Sequence, residues 1–269
     1  VWLAEPVAVA QPLVSLDAMD QMARGVDHAE GTCAAPDGTI YVSGEWGQIY
    51  RVDADDLAHE IATTGGWTPG LAADGLGRID ACDPANHAVM RWDPVGGAPQ
   101  PWTLGVPGLP FQTPNWGAFG PDGSYYVSDF PNGLAVSPDG RQLWVLESAP
   151  GRLVAFDIRE DGSAGPRRVL LELPGTVPDS IAFAGDGLVV IACYRPDTVY
   201  RWSAERGLEV LGDDPAGTVL AAPTNVAFTG PDRDILQVPN IGRLHVTRFQ
   251  VPGIRGVPLF TSDAALLGD

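Results

Sequence analysis

Pro131-Asn132-Gly133-Leu134-Ala135-Val136-Ser137-Pro138-Asp139-Gly140, followed at once by Gln142-Leu143-Trp144-Val145-Leu146, decides how the chain is read. A carboxamide in a tight lead-in, a short apolar run, an Asp-Gly turn and a second apolar run make a β-hairpin, since Asp-Gly supplies the left-handed backbone of the turn. The same order of features recurs along the chain. Lead-ins start at Gly31, Gly70, Asn115, Asn132, Asp179 and Asn225, and turns follow at Asp37-Gly38, Asp74-Gly75, Asp122-Gly123, Asp139-Gly140 and Asp186-Gly187. A further strand-like run comes next in several units, as in Gln48-Ile49-Tyr50-Arg51-Val52, Ala88-Val89-Met90-Arg91-Trp92, Leu153-Val154-Ala155-Phe156 and Thr198-Val199-Tyr200-Arg201-Trp202.

A period of about 40 to 50 residues with four strands per unit is the signature of a propeller blade. The expected fold is therefore all-β: a six-bladed β-propeller of four-stranded antiparallel blades, one domain over residues 1–269. The third unit departs from the period, because the stretch from Asn115 to Asn132 holds only an inner hairpin. Either that blade is truncated or the chain as read lacks its outer segment. The second reading is preferred here, because half a blade leaves an unpaired strand edge.

Composition narrows the function classes. Lys+Arg 16 against Asp+Glu 34 gives a formal charge of −18, which repels nucleic-acid phosphates and anionic lipid headgroups. An acidic domain suits a bound cation, although most such charge is ordinary solvated surface. No apolar run nears the roughly 18 residues that span a bilayer, and Val1-Trp2-Leu3-Ala4-Glu5 has no basic residue ahead of its hydrophobics. A cytoplasmic location is expected; the chain begins without Met, so a removed leader stays open. Cys33, Cys82 and Cys193 sit in apolar stretches without metal-site spacing and read as small core residues.

In a propeller the innermost strand of every blade starts at the same end of the central channel, so the lead-in residues form a ring. That ring carries Glu30, Asn115, Asn132, Asp179 and Asn225, while the second unit offers Trp67, Thr68 and Gly70. Any one of these beside a proline reads as a turn residue. Four carboxylates or carboxamides in the same phase point to a cation. Glu30, Asn115, Asn132 and Asp179 supply only hard oxygen donors, which suit Ca²⁺, with Mg²⁺ or Mn²⁺ compatible, better than a zinc site.

Turns between second and third strands open at the same end, placing Glu45-Trp46, Asn86-His87, Glu147-Ser148, Tyr194-Arg195 and Asn240 near a mouth. Tyr194 and Arg195 are candidate substrate contacts, because a guanidinium can grip a carboxylate or phosphate. Trp116 either walls the pocket or packs between blades. His28 either touches substrate or caps the turn before Glu30, and Asn225 completes the ring. His245 reads as a core histidine. No Gly-x-Ser-x-Gly elbow is present, which argues against a serine hydrolase.

These residues resemble the senescence marker protein, gluconolactonase and luciferin-regenerating-enzyme family of six-bladed propellers. The likeness runs from Ala29-Glu30-Gly31 through the Pro131–Gly140 string and Pro178-Asp179-Ser180-Ile181-Ala182. It continues to Pro223-Thr224-Asn225-Val226-Ala227-Phe228, Leu244-His245-Val246-Thr247 and Gly256-Val257-Pro258-Leu259. The resemblance implies one divalent cation, usually Ca²⁺, held by a Glu, two Asn and an Asp, which map onto Glu30, Asn115, Asn132 and Asp179. It also implies hydrolysis of a lactone or related ester, with Asp179 as the group that activates water. Ser180 stands where the family often has Gly, and Thr32-Cys33 replaces a more usual Pro and hydrophobic pair. The alternatives are a strictosidine-synthase-like condensing or lyase propeller and a non-catalytic ligand-binding propeller. The expected partner in each case is a small molecule, and no oligomeric state can be read from the residues.

Overall fold

The structure, a computed structural model, describes residues 11–260. The chain start on which the leader question turns lies outside the described residues. Among the described residues, twenty-four strands account for nearly all the regular structure, with two short 3-10 turns, Leu16–Ala18 and Gly185–Gly187.

Five four-stranded antiparallel sheets form, each numbered here by its repeat unit. The first holds Thr32–Ala34, Ile40–Ser43, Gln48–Val52 and Ala58–Thr63; the second Gly70–Ala73, Ile79–Asp83, Ala88–Trp92 and Gln100–Thr103. The fourth holds Leu134–Val136, Gln142–Glu147, Arg152–Asp157 and Arg168–Glu172; the fifth Val177–Phe183, Val189–Arg195, Thr198–Ser203 and Gly207–Asp213. The sixth closes the molecule: Ala227–Thr229, Ile235–Asn240 and His245–Gln250 take Asp20–Met22 as their outermost strand, with Gln21 opposite Thr247. Arg248 then reaches the first unit through a two-pronged contact with Asp56 at 2.7 and 2.9 Å.

The expectation of six four-stranded blades is corrected at the third unit, which is a two-stranded hairpin of Pro114–Phe119 and Tyr125–Asp129. Its inner strand nonetheless stands in the ring. Thr32–Ala34 packs beside Gly70–Ala73, that strand beside Pro114–Phe119, and Pro114–Phe119 beside Leu134–Val136, which neighbours Val177–Phe183. Ala227–Thr229 returns to Thr32–Ala34. The all-β propeller follows from that closure.

The second strand of the fifth sheet is covered on both faces by neighbouring sheets, so it is continuously apolar over most of its length instead of alternating. Val189 through Cys193 are all buried. Apolar clusters fill the contacts between consecutive sheets: Ile49 with Leu71 and Ile79, Leu146 with Ile181 and Ile191, Val190 with Leu236 and Val238, Val42 with Val246. Trp116, Leu134, Val145 and Val154 do the same between the third and fourth units. Between the second and third units the contact is of another kind. Arg91 forks onto buried Asp80 at 2.6 and 2.8 Å, its guanidinium lies 3.7 Å from the Trp102 ring centre, and Trp102 meets Tyr125 edge-on at 5.2 Å.

One turn is also corrected. In the second unit the left-handed residue is Gly77, at φ +78°, while the Asp74 carboxylate accepts from the Leu76 and Arg78 N–H groups. The Asp-Gly pair expected at Asp74-Gly75 is thus out of phase with its counterparts, because here the aspartate takes the first position of the turn. Cys33, Cys82 and Cys193 are buried free thiols, as their apolar settings required.

Candidate metal and active site

Antiparallel pairing puts the start of each innermost strand and the end of each second strand at one end of the channel. Glu30, Asn115, Asn132 and Asp179 all stand at that end, each at or within a few residues of an inner strand's first residue. Two glycines let the ring draw tight. A Cβ on Gly70 would come within 2.5 Å of the Asn115 carbonyl, and one on Gly133 within 2.6 Å of the Ser180 Cα. Neighbouring lead-ins therefore touch backbone to backbone, and Gly133 N–H donates to the Asp179 carbonyl at 2.6 Å.

Serines lock this arrangement from the neighbouring unit. The Ser43 hydroxyl donates to the Thr68 carbonyl, Ser128 to the Asn132 carbonyl at 2.8 Å, and Ser148 to the Pro178 carbonyl at 2.6 Å. Each holds a lead-in by its main chain and leaves the ligand-type side chain free. Glu30 is fixed by Trp67, whose indole N–H donates to Oε1 at 3.3 Å. Trp67 in turn is held by the buried Asp83 carboxylate, which accepts its backbone N–H and the Asn86 side chain. These serines, Asp83 and the Trp67 contact were missed as site-building groups in the sequence reading. A serine recurring at the mouth end of second strands was the available signal.

Glu30 is buried, and burial pushes its carboxyl up to about 8; the Trp67 bond pulls it back, and the nearby Glu45 charge raises it further. Asp179 is pushed well above the usual carboxylate range by burial first and by the Glu30 charge second. The two carboxyls are therefore close enough to feel one another. Among the described residues neither forms an ion pair, and no hydrogen bond is made by the side chains of Asn115, Asn132 or Asp179. Two neighbouring acids without a counter-charge and two idle carboxamides fit a hard divalent cation held by oxygen donors.

The other candidates separate. Asn225 is fully buried, accepts from the Ser180 hydroxyl at 3.0 Å and donates to the Thr32 carbonyl at 3.5 Å, so it clamps the last lead-in to its neighbours. Trp116 is buried and packs in the cluster between the third and fourth units. Both line an apolar cavity along the channel that Phe183, Phe228 and Val257–Phe260 border, and none of Glu30, Asn115, Asn132 and Asp179 lines it. Arg195 pairs with Asp197 at 3.0 Å and lies over Tyr194. His28, at φ +47°, pairs with Asp27 at 2.6 Å. Ser148 and Ser180 are engaged as described, and among the described residues neither hydroxyl has a histidine as hydrogen-bond partner. His245 is buried.

Known proteins share this chain's fold and part of its sequence. Residues 125–240 match the model of the SMP-30/gluconolactonase/LRE-like region. Those residues carry that family's region. A 6-deoxy-6-sulfogluconolactonase of Pseudomonas putida is 33% identical over 155 residues, 48% of this chain and 49% of the relative. The matched part thus spans about half the length of that relative. A gluconolactonase structure from Xanthomonas campestris superposes with a TM-score of 0.73 at 19% identity, covering 87% of this chain and 89% of that one. A structure of the calcium-binding protein regucalcin from Agrobacterium tumefaciens gives 0.73 at 16% identity, covering 96% and 100%. At such identities the structural likeness establishes the shared fold alone.

Proposed function

We propose that the chain is a metal-dependent hydrolase of a lactone or related ester, and that Glu30, Asn115, Asn132 and Asp179 hold one divalent cation. The carrying observation is the Glu30 and Asp179 pair: a buried acid pushed up by burial and a half-buried one pushed up by burial and by the Glu30 charge, beside two carboxamides with idle side chains. Such a pair is costly to ionise without a cation and favourable with one. All-oxygen donors favour Ca²⁺, with Mg²⁺ or Mn²⁺ next. The names of the gluconolactonase relatives and of calcium-binding regucalcin support the same reading. In it, residues 1–269 form one domain, and the third hairpin serves as the inner half of a sixth blade.

A bound divalent cation supplies Lewis acidity toward an ester carbonyl and makes water more acidic. Asp179, ionised, orients the attacking water and takes its proton. Its basicity reflects opposite pulls, since burial and Glu30 raise its affinity for a proton and a cation lowers it. The Trp67 indole N–H keeps Glu30 aimed into the ring. The backbone locks through Ser128 and Ser148 hold Asn132 and Asp179 in register, so substrate meets a preformed site. The test is a panel of lactones and aryl esters assayed after chelation, then with Ca²⁺, Mg²⁺, Mn²⁺ or Zn²⁺ restored. Hydrolysis lost on chelation and regained with Ca²⁺ is expected; turnover indifferent to chelator removes the metal from the mechanism.

A further inference from the structure

Neighbouring lead-ins are joined in two ways. Around part of the ring they are closed by glycine: a Cβ on Gly31 would lie 2.9 Å from the Pro69 carbonyl oxygen, and Gly70 and Gly133 meet Asn115 and Ser180 more closely still. No side chain fits between the strands there. Between Asp179 and Glu30 the ring is spanned by the sixth lead-in, Thr224, Asn225 and Val226, and small polar side chains fill the joints. Ser180 and Asn225 are fully buried, and Thr224 is buried beside them.

Each of these side chains ties the sixth lead-in to a strand that carries a proposed ligand. On the first-unit side the Thr224 hydroxyl donates to the Glu30 carbonyl at 2.9 Å, with the Ala29 carbonyl at 3.2 Å, and Asn225 Nδ2 donates to the Thr32 carbonyl. On the fifth-unit side the Ser180 hydroxyl, next to Asp179, donates to Asn225 Oδ1 at 3.0 Å and accepts the Val226 N–H at 3.4 Å. The Thr224 N–H is anchored on the Pro239 carbonyl at 3.1 Å, which fixes the bridge to its own sheet. A packed interior resists compression, and a buried hydrogen bond is costly to leave unmade. The strands that carry Glu30 and Asp179 are therefore held at a set separation.

We propose that Ser180, Thr224 and Asn225 form a spacer that sets the width of the oxygen ring between Glu30 and Asp179, and that this spacer makes the ring select a large cation, Ca²⁺, over Mg²⁺. Ca²⁺ takes oxygens at about 2.3 to 2.6 Å in adaptable geometry, whereas Mg²⁺ demands about 2.0 to 2.1 Å and a near-ideal octahedron, so a ring that cannot contract favours the larger ion. The three are positioning residues and not ligands. A glycine at position 180 would offer no hydroxyl to the sixth lead-in, so the serine is what ties the fifth unit to the spacer. This role rests on the metal site proposed above and is independent of which ester is hydrolysed.

Calorimetry on the metal-stripped full chain, titrated with Ca²⁺ and separately with Mg²⁺, reads the ratio of the two Kd values. The parent should bind Ca²⁺ more tightly. Ser180→Ala and Thr224→Val each remove a spacer hydroxyl at nearly constant volume, and each should shift the ratio toward Mg²⁺ by about two- to tenfold, the equilibrium worth of one hydrogen bond. Thr224→Ser keeps the hydroxyl and should keep the parent ratio. Equal weakening of both cations in Ser180→Ala and Thr224→Val, or a ratio in Thr224→Ser that moves as far as in Thr224→Val, would overturn the spacer while leaving the metal site standing. A parent that binds Mg²⁺ as tightly as Ca²⁺ would overturn it as well. A parent that binds neither cation removes the metal site itself, and the spacer with it.

Discussion

At the level of single atoms, substitution of Asp179 is the place to separate the proposed metal binding from the proposed catalysis. Asp179→Asn keeps an oxygen donor and nearly the same volume while removing the charge and the base. With the cation at saturation, hydrolysis should fall by about 10² to 10⁴, the usual range for lost general-base assistance. Activity within about threefold of the parent would leave Asp179 a ligand only. The residue types of this ring were legible from their phase in the repeat. Asn225 shares that phase, yet its amide is used up on Ser180 and Thr32, and only the packed structure shows such commitment. Trp67 was visible as a residue of the second lead-in, but its bond to Glu30 depends on how far one blade leans toward the next.

Between elements, fit at the lead-ins controls the site. Gly133→Ala would press a Cβ into the backbone that carries Asp179, with contacts of 2.6 and 2.7 Å. Overpacking against main chain costs about 1 to 3 kcal/mol, and cation affinity should weaken along with stability in urea denaturation. Unchanged affinity would mean that the ring relaxes without moving Asp179. A second test lies between the second and third units, where Arg91 neutralises Asp80, whose carboxyl burial pushes up to about 6 even beside that guanidinium. Arg91→Met strands a buried acid and should destabilise by about 3 to 5 kcal/mol, with Asp80→Asn in the same chain recovering much of it. Equal losses in the single and double variants would show the pair to be dispensable and the Trp102 stack to be what matters. The sequence marked the third unit as short, but not that an arginine stacked on tryptophan would stand in this contact.

For the whole molecule the acid pair predicts an unusual pH dependence. Glu30 has its folded pKa raised from 4.5 to about 8, so the folded chain binds protons more tightly than the unfolded chain. Without a cation, that contribution is fully present below about pH 4.5 and is lost as pH rises toward 8. Asp179 acts in the same direction. The combined effect is on the order of a few kcal/mol. Chelated protein should therefore show a Tm that falls between pH 5 and 8, apart from general charge effects, and Ca²⁺ should raise Tm much more at pH 8 than at pH 5. An equal Ca²⁺ increment at both values would mean that the cation binds away from these acids. Glu30→Gln should flatten the chelated profile, which distinguishes this pair from the overall charge of −18.

Strand identity, the repeat and the phase of the oxygen-bearing residues were determined by the sequence alone, because they depend on local turn chemistry and on apolar runs a few residues long. The same locality made the short third unit visible. Closure of the ring by Asp20–Met22 on the last sheet, the hydroxyl locks from Ser43, Ser128 and Ser148, and the neighbouring of Glu30 with Asp179 were decided only in tertiary structure. Glu30 and Asp179 stand far apart along the chain, and the Glu30 charge reaches Asp179 only when the ring closes.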